Sequence, residues 1–186
     1  MVKKIAIMLL GTSLASGLLY ADTMSEAKGF IGLEVGGANI QADRAGFYAE
    51  TNYAGDYNIE YGLRIGAENE NWRTMFVLNY FDSEDDNQNY EKALFEVDYF
   101  FLSGGAETTS FKPYIGINIG YMNYESDGEG LTASIDESGF LYGGQLGFCI
   151  DLSDAVDLDV MYRYSLVDTE QTDHTESIVV GLNYMF

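Results

Sequence analysis

Proline, cysteine and histidine are nearly missing, with one of each in 186 residues. A single cysteine excludes an intrachain disulfide framework and a cysteine-ligated zinc knuckle. A single histidine leaves little room for histidine-rich metal chemistry. Bases are scarce: 9 Lys and Arg stand against 30 Asp and Glu, a net charge of −21. Nothing here could neutralise a run of phosphates, which excludes nucleic acid as a partner. Long apolar runs are lacking too. Beyond residue 21 none approaches the ~18 residues a spanning helix needs, so any membrane crossing must be made by strands.

What is plentiful is glycine, at 21 residues, and aromatic side chains, at 15%. Apolar and polar residues are mixed closely enough that mean hydropathy is only −0.09. Their order therefore carries the information. The length suits one domain.

The start of the chain is read as a removable leader. Lys3 and Lys4 precede an apolar stretch from Ile5 to Leu10, small residues follow, and Leu19-Tyr20-Ala21 leads into Asp22. A basic opening, a short apolar centre and a small residue at the cut describe a secretory signal peptide over residues 1–21. A membrane anchor would need a longer, unbroken run. With no cysteine at the cut, lipoprotein processing is not expected. Residues 22–186 form the mature domain.

That domain alternates with period two. The seventh segment shows it most cleanly: Val156, Leu158, Val160, Tyr162, Tyr164 and Leu166 on one parity face Asp157, Asp159, Met161, Arg163 and Ser165 on the other. Eight such segments are expected, at about 29–40, 57–68, 72–82, 90–102, 112–124, 139–151, 155–167 and 176–186. Short connections fall around Asn69–Asn71, Ser103–Ser110 and Leu152–Asp154. The other connections, Asp43–Asp56, Asp82–Asn89, Glu125–Glu137 and Asp168–Glu176, hold much of the acid. Short turns at one end and longer loops at the other fit an up-and-down barrel between two compartments.

Alternation alone does not say which face is outside. A soluble lipocalin-like barrel alternates as well, apolar face inward. Three features favour a membrane barrel. The polar face carries glycines and charges of both signs, as the cramped interior of eight strands requires. Aromatics crowd the ends of the apolar face, as in Tyr57, Trp72, Tyr80, Tyr99, Phe101, Tyr164 and Tyr184. Strands of about 10–12 residues at ~3.3 Å rise and ~40° tilt project to roughly 25 Å, the height of a lipid-facing band. The expected fold is all-β, an eight-stranded antiparallel up-and-down transmembrane β-barrel.

These residues carry a resemblance. The glycine-rich opening strand Gly29-Phe30-Ile31-Gly32-Leu33-Glu34-Val35-Gly36, the segment Lys112-Pro113-Tyr114-Ile115-Gly116-Ile117-Asn118-Ile119-Gly120-Tyr121, the leader and the terminal Phe186 look like the small OmpA/OmpX-like outer-membrane barrels of bacteria. The resemblance covers the mature chain. It implies insertion in the outer membrane of a Gram-negative bacterium, with the short turns and both termini in the periplasm and the acidic loops outside. It also implies that Tyr184 and Phe186 form the signal read by the barrel assembly machinery. No peptidoglycan-binding domain is expected after Phe186, so a cell-wall tether is not implied.

The candidate functional residues are the inward polar set. Glu34, Arg64, Glu96 and Arg163 fall at similar depth, with Asp98 and Asp159 slightly nearer the short-turn end. Buried charges must pair, so these six are expected to form a network that fills the lumen. A charged constriction that selects ions is the competing reading. Arg73 and Lys92 are further inward bases; Glu60, Glu68, Asp151 and Asp157 are further inward acids. Cys149 is expected as a small buried filler.

The acidic runs Asp82–Asp86 and Glu125–Glu129 tempt a calcium reading. EF-hand spacing fails, because Ala93 stands where the bidentate acid belongs if Asp82 opens the loop. Looser divalent-cation bridging to lipopolysaccharide remains as an expected contact of the loops. Catalysis is not expected: His174 lies in or beside the last long connection, and Ser177 has the opposite parity. No cofactor is expected. The expected role is structural or surface-interactive, in membrane integrity or adhesion, as a monomer in contact with outer-membrane lipid. A narrow channel for small solutes or ions is the alternative.

Overall fold

The computed structural model describes residues 27–42, 58–83, 88–101, 111–126, 135–169 and 172–186. The expected leader over residues 1–21, Tyr57, the connection expected at Ser103–Ser110 and most residues of the longer connections lie outside them. Eight strands form one closed barrel, each antiparallel to the next and β8 closing on β1. They are β1 (Lys28–Ala42), β2 (Asn58–Glu68), β3 (Trp72–Ser83), β4 (Gln88–Phe100), β5 (Phe111–Ser126), β6 (Ile135–Ser153), β7 (Val156–Asp168) and β8 (Thr172–Met185). Closure leaves no strand edge without a partner, which is what a sheet immersed in hydrocarbon requires.

Burial follows the parity of the sequence with the apolar face turned outward. Leu33 is 64% exposed and Ile117 65%, whereas Glu34 is 4% and Asn118 1% exposed. A soluble barrel would show the reverse. The apolar surface of Ile31, Leu33, Leu63, Ile115, Leu146 and Leu182 is therefore a lipid-facing one, and the core is inside the polar lumen. Aromatic pairs sit at the ends of this band. At the turn end Trp72 and Tyr99 lie 4.9 Å apart, and Phe111 and Phe148 5.1 Å. At the loop end Tyr121 meets Phe140 edge-on at 5.6 Å.

The tight turn between β2 and β3 is set by Asn69, whose Oδ1 accepts from the backbone of Asn71 at 2.9 Å and of Trp72 at 2.8 Å. Such side-chain capture of the next amides is why asparagine favours turns. Phe186 pairs with Gly29 through two backbone hydrogen bonds, of 3.0 and 2.8 Å, so the terminal residue seals the β1–β8 seam.

Strand ends are where the structure departs from the sequence reading. β6 begins at Ile135 rather than near 139, β5 runs on to Ser126, and β8 starts at Thr172 rather than 176. The flanks of the connection expected from Glu125 to Glu137 are thus ladder, with Glu125 paired to Asp136 and Ser126 to Ile135. Hydrogen-bonded pairing of a hairpin needs no apolar side chain. Above the lipid band both faces meet water, so alternation stops marking a strand that continues. His174 likewise belongs to β8, its ring 4.9 Å from that of Tyr164.

Candidate functional site in the barrel lumen

Side chains at every other position of all eight strands meet in the lumen, and their charges alternate in sign. Glu34 of β1 is the hub. Its Oε2 accepts from Arg64 of β2 at 2.5 and 3.0 Å, and its Oε1 from Arg163 of β7 at 3.1 Å and from Asn79 of β3 at 2.5 Å. Arg64 reaches onward to Asp159 of β7 at 2.7 Å. Asp159 also faces Arg73 of β3 at 3.1 Å, and Arg73 lies 2.8 Å from Asp98 of β4. At the other end of the series Arg163 Nε is 2.7 Å from Glu96, again on β4.

The series Glu96–Arg163–Glu34–Arg64–Asp159–Arg73–Asp98 therefore leaves β4, visits β7, β1, β2 and β3, and returns to β4 two residues further on. It crosses the lumen rather than lining it. All seven side chains are at most 1% exposed. Neutral groups extend it: Gln145 donates to Asp98 at 2.7 Å, Asn118 to Gln145 at 2.8 Å, and Ser165 to Asn118 at 2.8 Å. Tyr114 donates its hydroxyl to Asp159 at 2.7 Å.

Two lids close this belt. Toward the turn end Arg73 lies over the Tyr114 ring at 4.5 Å and the Phe100 ring at 5.6 Å, with Phe30 and Met75 buried beside them. Toward the loop end Glu60 takes Lys92 at 2.8 Å and the Tyr90 hydroxyl at 2.6 Å, and Phe81 stacks on Tyr90 at 4.6 Å. Cys149 is wholly buried and accepts from Arg73 at 2.9 Å.

Glycine makes room for these long side chains. A Cβ on Gly181 would fall 2.6 Å from the Arg64 Cζ, and one on Gly62 would fall 2.5 Å from the Glu34 Cγ. Hydrogen-bonding capacity is left over around Arg163. Both oxygens of Glu96, Oε1 of Glu60, Oδ1 of Asn79 and Oγ of Ser177 are buried without a hydrogen-bond partner. The Glu96–Arg163 contact is thus ionic in geometry rather than a directed hydrogen bond. Atoms of this kind take internal water.

All six residues singled out from alternation meet in this belt, and Arg73 completes it. Parity places Arg73 inside but gives no reason to link it to Asp98 and Asp159. Lys112 is missed as an inward base; it lies at the turn-end mouth, 2.9 Å from Glu68 and 3.0 Å from Asp151. Its position two residues before the inward Tyr114 is the available signal. His174 and Ser177 lie on opposite faces of β8, with Ser177 1% exposed in the lumen, so the two do not form a nucleophile–base pair. Tyr184 is exposed on the lipid side, as is Phe186.

Similarity to known proteins agrees with this architecture. The chain is similar in structure to Neisserial surface protein A (15% identity, 87% of this chain and 100% of that one, TM-score 0.65). It is similar to the N-terminal β-barrel domain of Pseudomonas aeruginosa OprF (9% identity, 87% and 100%, TM-score 0.60). It is also similar to outer membrane protein H, OprH, of P. aeruginosa (25% identity, 86% and 99%, TM-score 0.58). No curated protein sequence matches it. The model of the outer membrane protein beta-barrel domain matches residues 7–186. The chain belongs to that family, and is an outer-membrane β-barrel protein.

Proposed function

We propose that this barrel serves the outer membrane as a structural element with an acidic external surface, and that its lumen is plugged. The observation that carries the proposal is the series from Glu96 through Arg163, Glu34, Arg64, Asp159 and Arg73 to Asp98, which spans the interior from wall to wall. A solute would have to part several charge pairs that are out of water, and each broken pair leaves a buried charge uncompensated. In this reading the turn end faces the periplasm, residues 1–21 are the cleaved leader, and the terminal strand with Tyr184 and Phe186 is read by the assembly machinery. The loop end meets lipopolysaccharide, with divalent cations bridging acid to phosphate, and the barrel works as a monomer. Adhesion through the loops belongs to the same surface role.

A narrow channel is the competing reading, favoured by the buried oxygens of Glu60 and Glu96 that accept no hydrogen bond and leave capacity for internal water. Deleting the gene separates the two. The structural reading expects entry of large hydrophobic dyes and detergents to rise while uptake of small hydrophilic solutes stays unchanged. An intact barrier with slowed solute uptake would overturn it.

A further inference from the structure

Every neighbouring pair in the barrel is consecutive in the chain except β1 with β8. A connecting turn fixes the register of a hairpin, and this seam has to find its register without one. Apolar patterning does not supply it. On the lipid side Leu33 faces Leu182 and Val35 faces Val180. A slip of two residues keeps parity and still sets apolar against apolar.

The two strands carry a second pattern, in which no glycine of one faces a glycine of the other. Gly29 pairs with Phe186, Gly32 with Asn183, Gly36 with Val179 and Gly37 with Ile178, while Gly181 of β8 pairs with Glu34. A Cβ on Gly29 would fall 2.8 Å from the Phe186 ring, and one on Gly36 would fall 3.0 Å from a Val179 methyl. One on Gly32 would overlap Asn183 Oδ1. In the reverse sense, the space at Gly181 is taken by the Arg64 guanidinium that Glu34 holds. Slipping β8 by two residues sets Gly181 against Gly32 in one direction and against Gly36 in the other. Glu34 then faces Val179 or Asn183. Either slip leaves a gap at one pair and crowds the next, and close-packed interiors tolerate neither.

We propose that these matched glycines and side chains are the register code by which β8 closes on β1. The lumen depends on it. Arg163 of β7 reaches Glu34 of β1, and Arg64 of β2 reaches Asp159 of β7, both across this seam. A slip of two residues displaces one side of the seam by about 7 Å along the other, which parts both pairs.

Gly29→Val with Gly36→Val fills two notches and tests the code in purified protein refolded in micelles. The readout is the Hα–Hα contact of Gly32 with Asn183 by nuclear magnetic resonance. These two form a close pair, because Gly29 and Phe186, three positions away, exchange both backbone hydrogen bonds. The unmodified chain should show that contact alone. In the variant it should weaken, and contacts of Gly32 with Gly181 or Met185 should appear. If the double variant does not fold, judged by the mobility of unboiled protein in a gel, Gly29→Val is read the same way, since its new side chain meets the Phe186 ring first. Gly120 is the control on consecutive strands, facing Leu94 of β4 with a Cβ position 2.7 Å from the Leu94 Cδ2. Gly120→Ala should lose stability yet keep the Leu94–Gly120 pairing. The native seam contact at full strength in the folded variant, or a changed register in Gly120→Ala as well, would overturn the proposal.

Discussion

Arg64 of β2 and Asp159 of β7 are separated in the sheet by β1 and β8, yet Nη1 and Oδ2 lie 2.7 Å apart across the lumen. The same guanidinium holds Glu34, so one side chain fastens β2 to both β1 and β7. Such pairs add little over an apolar core of the same shape, because desolvation offsets their attraction. Their weight appears when one partner is removed.

Arg64→Ala should therefore destabilise the barrel by about 3–5 kcal/mol, since Glu34 and Asp159 each lose a buried countercharge. Arg163→Ala should behave alike through Glu34 and Glu96. Urea unfolding of refolded protein in micelles measures both. A cost near zero would mean that bulk water already fills the belt.

Lys92→Met leaves Glu60 with the Tyr90 hydroxyl but without its ammonium. The double variant Lys92→Met with Glu60→Leu should recover most of the stability lost in the single one, because the orphaned charge goes with its partner. Equal loss in both, by the same unfolding measurement, would place the cost in packing instead.

Tyr114→Phe removes a hydroxyl that donates to the Asp159 carboxylate. Hydrogen bonds to charged groups contribute about 1.5–3 kcal/mol, and a loss in that range is expected. Tyr121→Phe, whose hydroxyl meets Ser138 on the exposed outer face, should cost much less. Similar losses for the two would contradict a belt closed to bulk water.

Strand number, order of parity and the inner set of charges could be read from the chain because lipid outside and crowding inside impose one rule on every residue of the band. Val156 to Leu166 obeys it closely. The rule ends where the lipid ends, which is why the pairing of Glu125 with Asp136 in the extended β5–β6 hairpin left no trace in hydropathy. It is also silent about partners. Parity says that Arg73 points inward, but only the closed barrel brings it beside Asp159, four strands further along the chain. Aromatic content alone does not mark the outer face: Phe81, Tyr90 and Phe100, which share the parity of the inward charges, are buried inside as the lids of the belt.

Phe186 is 72% exposed, its backbone paired with Gly29. Phe186→Asp at a lipid interface should cost only about 0–1 kcal/mol in the finished barrel. If the residue also serves as the assembly signal, the variant should cross the inner membrane normally and reach the outer membrane folded in much reduced amount. Fractionation with unboiled gel mobility measures this, and wild-type levels of folded variant would remove the signal role.

The plugged lumen is tested most directly by single-channel recording of the purified, unmodified protein in planar lipid bilayers. Seven buried side chains of alternating charge cross the interior, with aromatic lids on either side of them. No large steady conductance is expected, with a rise in current when Arg163 and Arg64 are both replaced by alanine. A stable, porin-sized conductance from the unmodified chain would contradict it.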